Sequence, residues 1–159
     1  MRRKVKMSLL VASIVICAGI FAGFAVAAEP VEIGVILSLT GPIGPHGQDA
    51  LHASELAVEE INKAGGVLGR PIKLIVEDTE SRPKSAVEAA HKLADVNKIS
   101  VCLGGWSSGI ALPTAEYLNS VNVVFVTVAT TNKLKTVGPY VFNTADLADQ
   151  AVALVAVSY

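Results

Sequence analysis

Short apolar segments alternate with helical patterns along this chain, and this alternation is the feature that most constrains its fold. The apolar segments are residues 31–37, 72–76, 100–103 and 121–126, each flanked by turn residues. The last is almost wholly apolar, which is typical of a strand covered by helices on both faces. The order β-α-β-α-β-α-β predicts an α/β fold with a parallel sheet, right-handed crossovers and helices on both faces.

Residues 48–64 predict the first helix. At about 100° per residue, one line along it is formed by small and apolar side chains: Ala50, Ala53, Ala57, Ile61 and Ala64, flanked by Leu51, Ser54 and Val58. This line is predicted to lie on the sheet, and Gly65-Gly66 is predicted to end the helix with positive φ. Two further helices are predicted to begin near Ser81 and after Ser108. A strand at residues 140–144 then leads into a predicted helix from Asp146.

The first 28 residues have the pattern of an export signal. Four basic residues precede an apolar run over residues 9–27, and small residues follow before Glu29. This predicts a signal peptide over residues 1–28 and a periplasmic or extracellular location for residues 29–159. An uncleaved anchor remains open, because the run approaches the about 20 residues of a membrane span. In either case this segment is the predicted contact with the membrane, and residues 29–159 are predicted to be exported.

The chain that remains after this segment is acidic. The whole sequence has 13 basic and 14 acidic residues, and the first 28 residues hold four of the basic ones and no acid, which leaves a net charge of −5. This balance argues against a nucleic acid partner. Of the two cysteines, Cys17 lies in the signal. Cys102 lies in a strand pattern and is predicted to be a buried hydrophobic residue rather than half of a disulfide.

Three segments follow predicted strands, where ligands bind in open α/β sheets: residues 40–47, 104–109 and 127–132. The first is glycine-rich, but its spacing is G-x-x-G-x-x-G, and Pro42 and Pro45 remove N–H donors that a phosphate cradle would need. No cofactor is therefore predicted. Two interpretations stay open for His46, which is either held toward a small ligand by a rigid rim or exposed on a plain connecting loop.

The second segment, Gly105-Trp106-Ser107-Ser108-Gly109, matches the G-x-S-x-G nucleophile elbow of α/β hydrolases. That fold needs a histidine after the serine, and no histidine follows Ser107 in this chain. The favoured interpretation is therefore binding: Ser107 and Ser108 hydroxyls, with N–H groups of the next helix, accept a ligand carboxylate. Trp106 is either an apolar wall for the ligand or a packing residue.

In the third segment, Ala129, Thr130 and Thr131 either offer a carbonyl and a hydroxyl to a ligand ammonium or cap the following turn. Glu77 and Asp78, which end the second predicted strand, have no identifiable partner and are interpreted as solvated or hinge-facing carboxylates. The sequence has no metal-ligand spacing, so no metal site is predicted.

Several motifs together resemble the leucine/isoleucine/valine-binding protein family of periplasmic solute receptors. They include Leu39-Thr40-Gly41-Pro42, the Ala-Gly-Gly-Val-Leu-Gly-Arg run that ends at Arg70, and Ser107-Ser108. The resemblance implies two α/β lobes that close on a small ligand and deliver it to the permease of an ABC transporter, without catalysis. Residues 29–159 would form the N-terminal part of the first lobe, with the second lobe absent from the chain.

The same resemblance implies roles for individual residues. Ser108 matches the serine that holds the ligand carboxylate, Ala129 the position whose carbonyl takes the ammonium, and Thr131 the threonine beside it. His46 stands where many members have an aromatic residue. The implied ligand is a branched-chain amino acid or a related small carboxylate or amide. The alternatives are the ligand-sensing domain of a receptor and the hydrolase described above.

Overall fold

The computed structural model describes residues 29–145. Five strands form one parallel sheet: β1 (Val31–Leu37), β2 (Ile72–Asp78), β3 (Val101–Gly104), β4 (Val124–Thr127) and β5 (Val141–Asn143). Their order across the sheet is β2-β1-β3-β4-β5. The predicted α/β fold with a parallel sheet is confirmed. The predicted signal peptide and the predicted helix from Asp146 lie outside the described residues.

Three α-helices connect the strands: α1 (Gly44–Lys63), α2 (Pro83–His91) and α3 (Ser108–Ser120). A π-helical turn, Lys92–Val96, extends α2, and a 3-10 helix, Asn132–Thr136, precedes β5. A proline lies at N1 or N2 of both α1 and α2, where a missing N–H costs nothing and the fixed φ suits a helix. Because Pro45 can take this place, α1 begins four residues before the predicted Gln48, and His46 belongs to its first turn rather than to a loop.

The main core lies between one face of the sheet and helices α2 and α3. Ile36, Cys102 and Phe125 are fully buried there with residues of both helices. Cys102 and Phe125 are neighbours in register on adjacent strands, so their side chains point to the same face. Cys102 is fully buried, which confirms the prediction of a buried hydrophobic residue, and this burial raises the pKa of its thiol.

Helix α1 contacts β1 and β2 and covers the opposite face, where Val35 and Leu37 of β1 are buried. The predicted line on α1 does not meet the sheet, because Ala53, Ala57 and Ala64 are exposed and Ile61 is 41% exposed. The buried side lies instead on the predicted flank of Leu51, Ser54 and Val58. The half-buried positions are Ala50, Leu51, Ser54, Val58 and Asn62.

Two contacts near the ends of α1 set its rotation on the sheet. The Asn62 side chain donates to the carbonyl of Ile72 at 2.9 Å and accepts from its N–H at 2.7 Å. Buried Gly47 lies against the Ser38 carbonyl so closely that a Cβ would overlap it. These polar and steric contacts, rather than the apolar line, decide which residues face β1 and β2. Within residues 29–145, no helix is long and apolar enough to cross a membrane.

Candidate functional site

The carboxyl ends of four strands lie side by side at one edge of the sheet. Ile36 pairs with Gly104, Gly104 with Thr127, and Thr127 with Asn143. Because all the strands are parallel, the segments that follow β1, β3 and β4 leave the sheet at this same edge. The three segments singled out in the sequence are therefore neighbours in space.

Thr127 fixes two of these segments to each other. It is 1% exposed, its hydroxyl donates to the carbonyl of Gly105 at 2.8 Å, and it accepts from the N–H of Ala129 at 3.3 Å. One side chain thus holds the loop after β3 and the chain after β4 at a set separation. Thr127 lies in a candidate segment of the sequence, but its hydrogen bond to Gly105 could not be predicted, since Gly105 is 22 residues away.

A small cleft with a cavity volume of about 20 Å³ lies between the start of α1 and the loop after β3. His46 and Trp106 both line it, and their rings are parallel within 3° with centroids 6.0 Å apart. Trp106 is 60% exposed, so it is not a core residue. The rest of the lining is mainly apolar: Ile36, Leu37, Ile43, Ala50 and Ile110, with Ser38, Gly47, Thr79 and Gly105.

The two hydroxyls in the cleft satisfy each other. Ser38 Oγ and Thr79 Oγ1 are 2.7 Å apart, and both residues are buried. A cleft whose hydroxyls are already paired favours an apolar group over a polar one.

Ser107 and Ser108 stand at the start of α3. Ser107 is its N-cap, in extended conformation, and its side chain makes no capping hydrogen bond. Within residues 29–145, neither serine hydroxyl has a hydrogen-bond partner, and both residues are half-buried. The first N–H groups of a helix also lack intrahelical partners. This end of α3 therefore presents unused donors and the positive end of the helix dipole at the shared edge.

The third segment keeps both of its open interpretations. Thr131 is the N-cap of the 3-10 helix and accepts from the N–H of Lys133 at 3.4 Å. A hydroxyl oxygen has two lone pairs, so this cap leaves capacity for a ligand. Ala129 is fully buried and Thr130 is exposed. Of the seven predicted site residues, only His46 and Trp106 line the cleft, while Ser107, Ser108, Ala129, Thr130 and Thr131 lie on neighbouring segments at the same edge.

One interpretation of the sequence needs correction at this edge. Asp78 is not a free carboxylate, because its oxygens accept hydrogen bonds from Leu39 and Thr40 of the segment after β1. Glu77, its neighbour in β2, instead pairs with Lys92 at 2.7 Å. Leu39 and Thr40 are almost 40 residues away from Asp78 in the chain, so no local pattern could have predicted these contacts. Within the described part of the chain, no three His, Cys, Asp or Glu side chains are placed to share a metal ion.

Comparison with known proteins agrees with this architecture. The family model described as periplasmic binding protein matches residues 30–159. The chain belongs to the periplasmic binding protein family. The match begins at the second residue after the predicted signal peptide and includes every strand and helix of the described region.

Two curated members of the family are similar in sequence. The Leu/Ile/Val-binding protein BraC3 of Rhizobium johnstonii is 37% identical over 97 residues, which cover 61% of this chain and 26% of that protein. The Leu/Ile/Val-binding protein homolog 3 of Brucella melitensis is 39% identical over 106 residues, covering 66% of this chain and 28% of that protein. The chain thus spans about a third or less of the length of these periplasmic binding proteins.

Solved structures of family members show the same fold. The substrate-binding protein LivJ of Streptococcus pneumoniae, in complex with isoleucine, superposes with a TM-score of 0.71 at 25% identity, covering 74% of this chain and 34% of that one. The leucine-binding protein LivK of Thermotoga maritima superposes with a TM-score of 0.70 at 30% identity, covering 81% of this chain and 37% of that one. An ABC transporter substrate-binding protein of Desulfitobacterium hafniense, in complex with Leu, superposes with a TM-score of 0.69 at 27% identity, covering 82% of this chain and 38% of that one.

Proposed function

We propose that the chain is part of an exported solute receptor that captures an amino acid of the branched-chain type, or a related small carboxylate or amide. The observation that carries this proposal is the start of α3, where two serine hydroxyls without a partner in the described residues meet a helix N-terminus. Such an arrangement favours a carboxylate. The solved relatives complexed with isoleucine and with Leu support the choice of ligand class.

In this proposal each predicted site residue has a role. Ser107, Ser108 and the first N–H groups of α3 hold the ligand carboxylate, and the Ala129 carbonyl with a Thr130 or Thr131 hydroxyl takes the ammonium. The stacked rings of His46 and Trp106 form an apolar wall against the ligand side chain.

We further propose that residues 1–28 are a signal peptide and that residues 29–159 form the N-terminal part of the first of two lobes. The protein would act outside the cytoplasm, and its macromolecular partner would be the permease of an ABC importer. This step rests on family membership and on the share of the relatives that the chain spans. Closure of two lobes around a ligand needs contacts from both. A micromolar complex corresponds to a binding free energy of about 8 kcal/mol. If one lobe supplies about half of it, the lobe alone is expected to bind at about millimolar affinity or weaker.

We propose binding without catalysis, because Ser107 makes no hydrogen bond to a histidine within residues 29–145. A hydrolase would need such a base to activate the serine. If the chain hydrolysed simple esters and lost this activity on Ser107→Ala, the proposal of a receptor would be replaced by that of a hydrolase.

Titration with L-isoleucine tests the proposed carboxylate site. Trp106, the only tryptophan in the sequence, gives a single indole N–H signal in NMR spectra that reports on the cleft. Ser108→Ala is expected to weaken L-isoleucine binding about tenfold or more, because a hydrogen bond to a charged group contributes about 1.5–3 kcal/mol. Isoleucinamide, which lacks the carboxylate, should bind more weakly than isoleucine and should be affected much less by the substitution.

Ser120→Ala is the matched control, since Ser120 lies at the other end of α3 and its hydroxyl donates to the Tyr117 carbonyl at 2.6 Å. It should leave the affinity unchanged. Equal binding of isoleucine and isoleucinamide, or equal effects of Ser108→Ala and Ser120→Ala, would rule out a carboxylate site at this helix. Micromolar affinity for the chain alone would contradict the need for a second lobe.

A further inference from the structure

The turn after β2 holds the segment from which α1 starts. Asp78 Oδ1 accepts from the N–H groups of Leu39 at 2.8 Å, Thr40 at 3.3 Å and Glu80 at 2.8 Å. Its Oδ2 accepts from the Thr40 hydroxyl at 2.6 Å. This carboxylate therefore joins the end of β1 to the end of β2, which is the edge strand of the sheet. We call its contacts with Leu39 and Thr40 the Asp78 clamp.

Ser81 makes a second connection between the same two segments. Its hydroxyl donates to the Thr40 carbonyl at 2.7 Å and accepts from the N–H of Ile43 at 3.3 Å. Gly41 lies between these contacts with φ +81°, and a Cβ there would be 2.8 Å from the Glu80 carbonyl oxygen and 2.8 Å from Ser81 Oγ. The two segments are in close contact along residues 39–43.

The backbone of this turn is strained. Glu80 and Ser81 are consecutive non-glycine residues with φ values of 51° and 60°, a region that side chains with a Cβ disfavour. This conformation points the N–H of Glu80 at Asp78 and the Ser81 hydroxyl at Thr40. Strain of this kind persists where the surrounding structure imposes it, often near functional sites.

The segment held in this way leads directly to the cleft. Gly44 begins α1 and donates its N–H to the Gly41 carbonyl at 3.0 Å, and His46 follows in the first helical turn. Asp78 itself does not line the cleft, whereas His46 does, opposite Trp106. Any shift of residues 39–43 would move His46 relative to Trp106.

We propose that Asp78 is a positioning residue: it does not touch the ligand, but it sets ligand affinity by fixing the segment that carries His46. Ser81 assists it. The part of this inference that concerns affinity rests on the proposed function, whereas the part that concerns the segment does not.

Three variants of the full chain test the role of Asp78. Asp78→Ala is expected to speed amide hydrogen exchange at Leu39 and Thr40 about tenfold or more and to weaken L-isoleucine binding by a similar factor, because both amides lose their acceptor. Asp78→Asn should restore most of both properties. Its carbonyl can accept from the two nearer N–H groups, those of Leu39 and Glu80, and its NH₂ can donate to Thr40 Oγ1. Glu77→Gln is the matched control, since Glu77 is the adjacent carboxyl group and pairs with Lys92; exchange and affinity should not change.

Ser81→Gly keeps the inference testable if Asp78→Ala does not fold. Glycine adopts the φ of 60° without strain, so the thermal midpoint should stay the same or rise, while loss of the hydroxyl weakens L-isoleucine binding. A purely structural role would move stability and affinity in the same direction.

The outcomes separate this inference from the proposed function. Unchanged exchange at Leu39 and Thr40 in Asp78→Ala would overturn the clamp, whatever the ligand does. Faster exchange with unchanged affinity would overturn its role in binding. Failure of Asp78→Asn to rescue, or an equal effect of Glu77→Gln, would also contradict the proposal. If the unaltered chain bound no L-isoleucine, the proposed function and the affinity part would fail together, and the exchange data would still decide the clamp.

Discussion

Gly104→Ala is expected to lower the free energy of unfolding of the chain by about 4 kcal/mol. Gly104 ends β3 with φ +133°, a conformation that residues with a Cβ rarely adopt. A methyl group there would overlap the Ile36 carbonyl oxygen and stand 2.9 Å from the carbonyl carbon and 3.2 Å from the nitrogen of Ile36. These are backbone atoms of the neighbouring strand, and they cannot move away without breaking the β1–β3 pairing. Urea unfolding followed by circular dichroism measures the loss.

Gly109→Ala is the control for that substitution. Gly109 lies in the first turn of α3, and the nearest atom to a Cβ there is Ser107 Oγ at 4.0 Å. Alanine favours a helix, so stability should be unchanged or should rise by up to about 1 kcal/mol. Similar effects of the two substitutions would show that the contact between Gly104 and Ile36 is not as close as described.

Phe125→Ala is the second change with a large expected effect, a loss of about 3–5 kcal/mol in the free energy of unfolding. Phe125 is fully buried in the core between the sheet and helices α2 and α3. Its ring also lies against Gly105, in the loop after β3: a Cβ on Gly105 would be 2.9 Å from Phe125 Cζ. The substitution should therefore loosen the loop that carries Trp106 as well as the core. Chemical denaturation and the Trp106 indole signal together report both effects.

Phe142→Ala is the matched control for this cavity. Phe142 lies on β5 and is 54% exposed, so its removal should cost about 1 kcal/mol or less. A loss at Phe142 equal to that at Phe125 would contradict the location of the core between the sheet and helices α2 and α3.

The sequence predicts the elements of this fold better than their ends. The strand over residues 31–37 is predicted with its observed bounds, since turn residues flank it. The fourth strand is predicted to start at Val121 but begins at Val124, because α3 continues to Ser120 and Asn122 turns the chain with φ 60°. An apolar run does not reveal where a helix ends inside it. The helical pattern likewise misplaces the centre of the buried side of α1, which lies on the flank of the predicted line, where the contacts of Gly47 and Asn62 hold the helix.

The candidate site is predicted as a set of segments rather than as a set of contacts. Strand ends in a parallel sheet share one edge, so the convergence of the segments around His46, Ser108 and Thr131 follows from the alternation of strands and helices. The contacts that position these segments, from Thr127 and Asp78, join residues 22 to 39 positions apart. Such pairs depend on strand order and register, which neither local propensity nor periodicity specifies.

The most direct test of the proposed amino-acid site is the location of L-isoleucine binding in the chain by backbone amide NMR. We predict chemical shift changes at Ser108, Gly109, Ala129 and Thr131, with a change at the Trp106 indole, all at about millimolar ligand. Isoleucinamide should leave Ser108 and Gly109 largely unshifted. Changes confined to the opposite, amino edge of the sheet, or no changes at saturating ligand, would contradict an amino-acid site at the carboxyl edge.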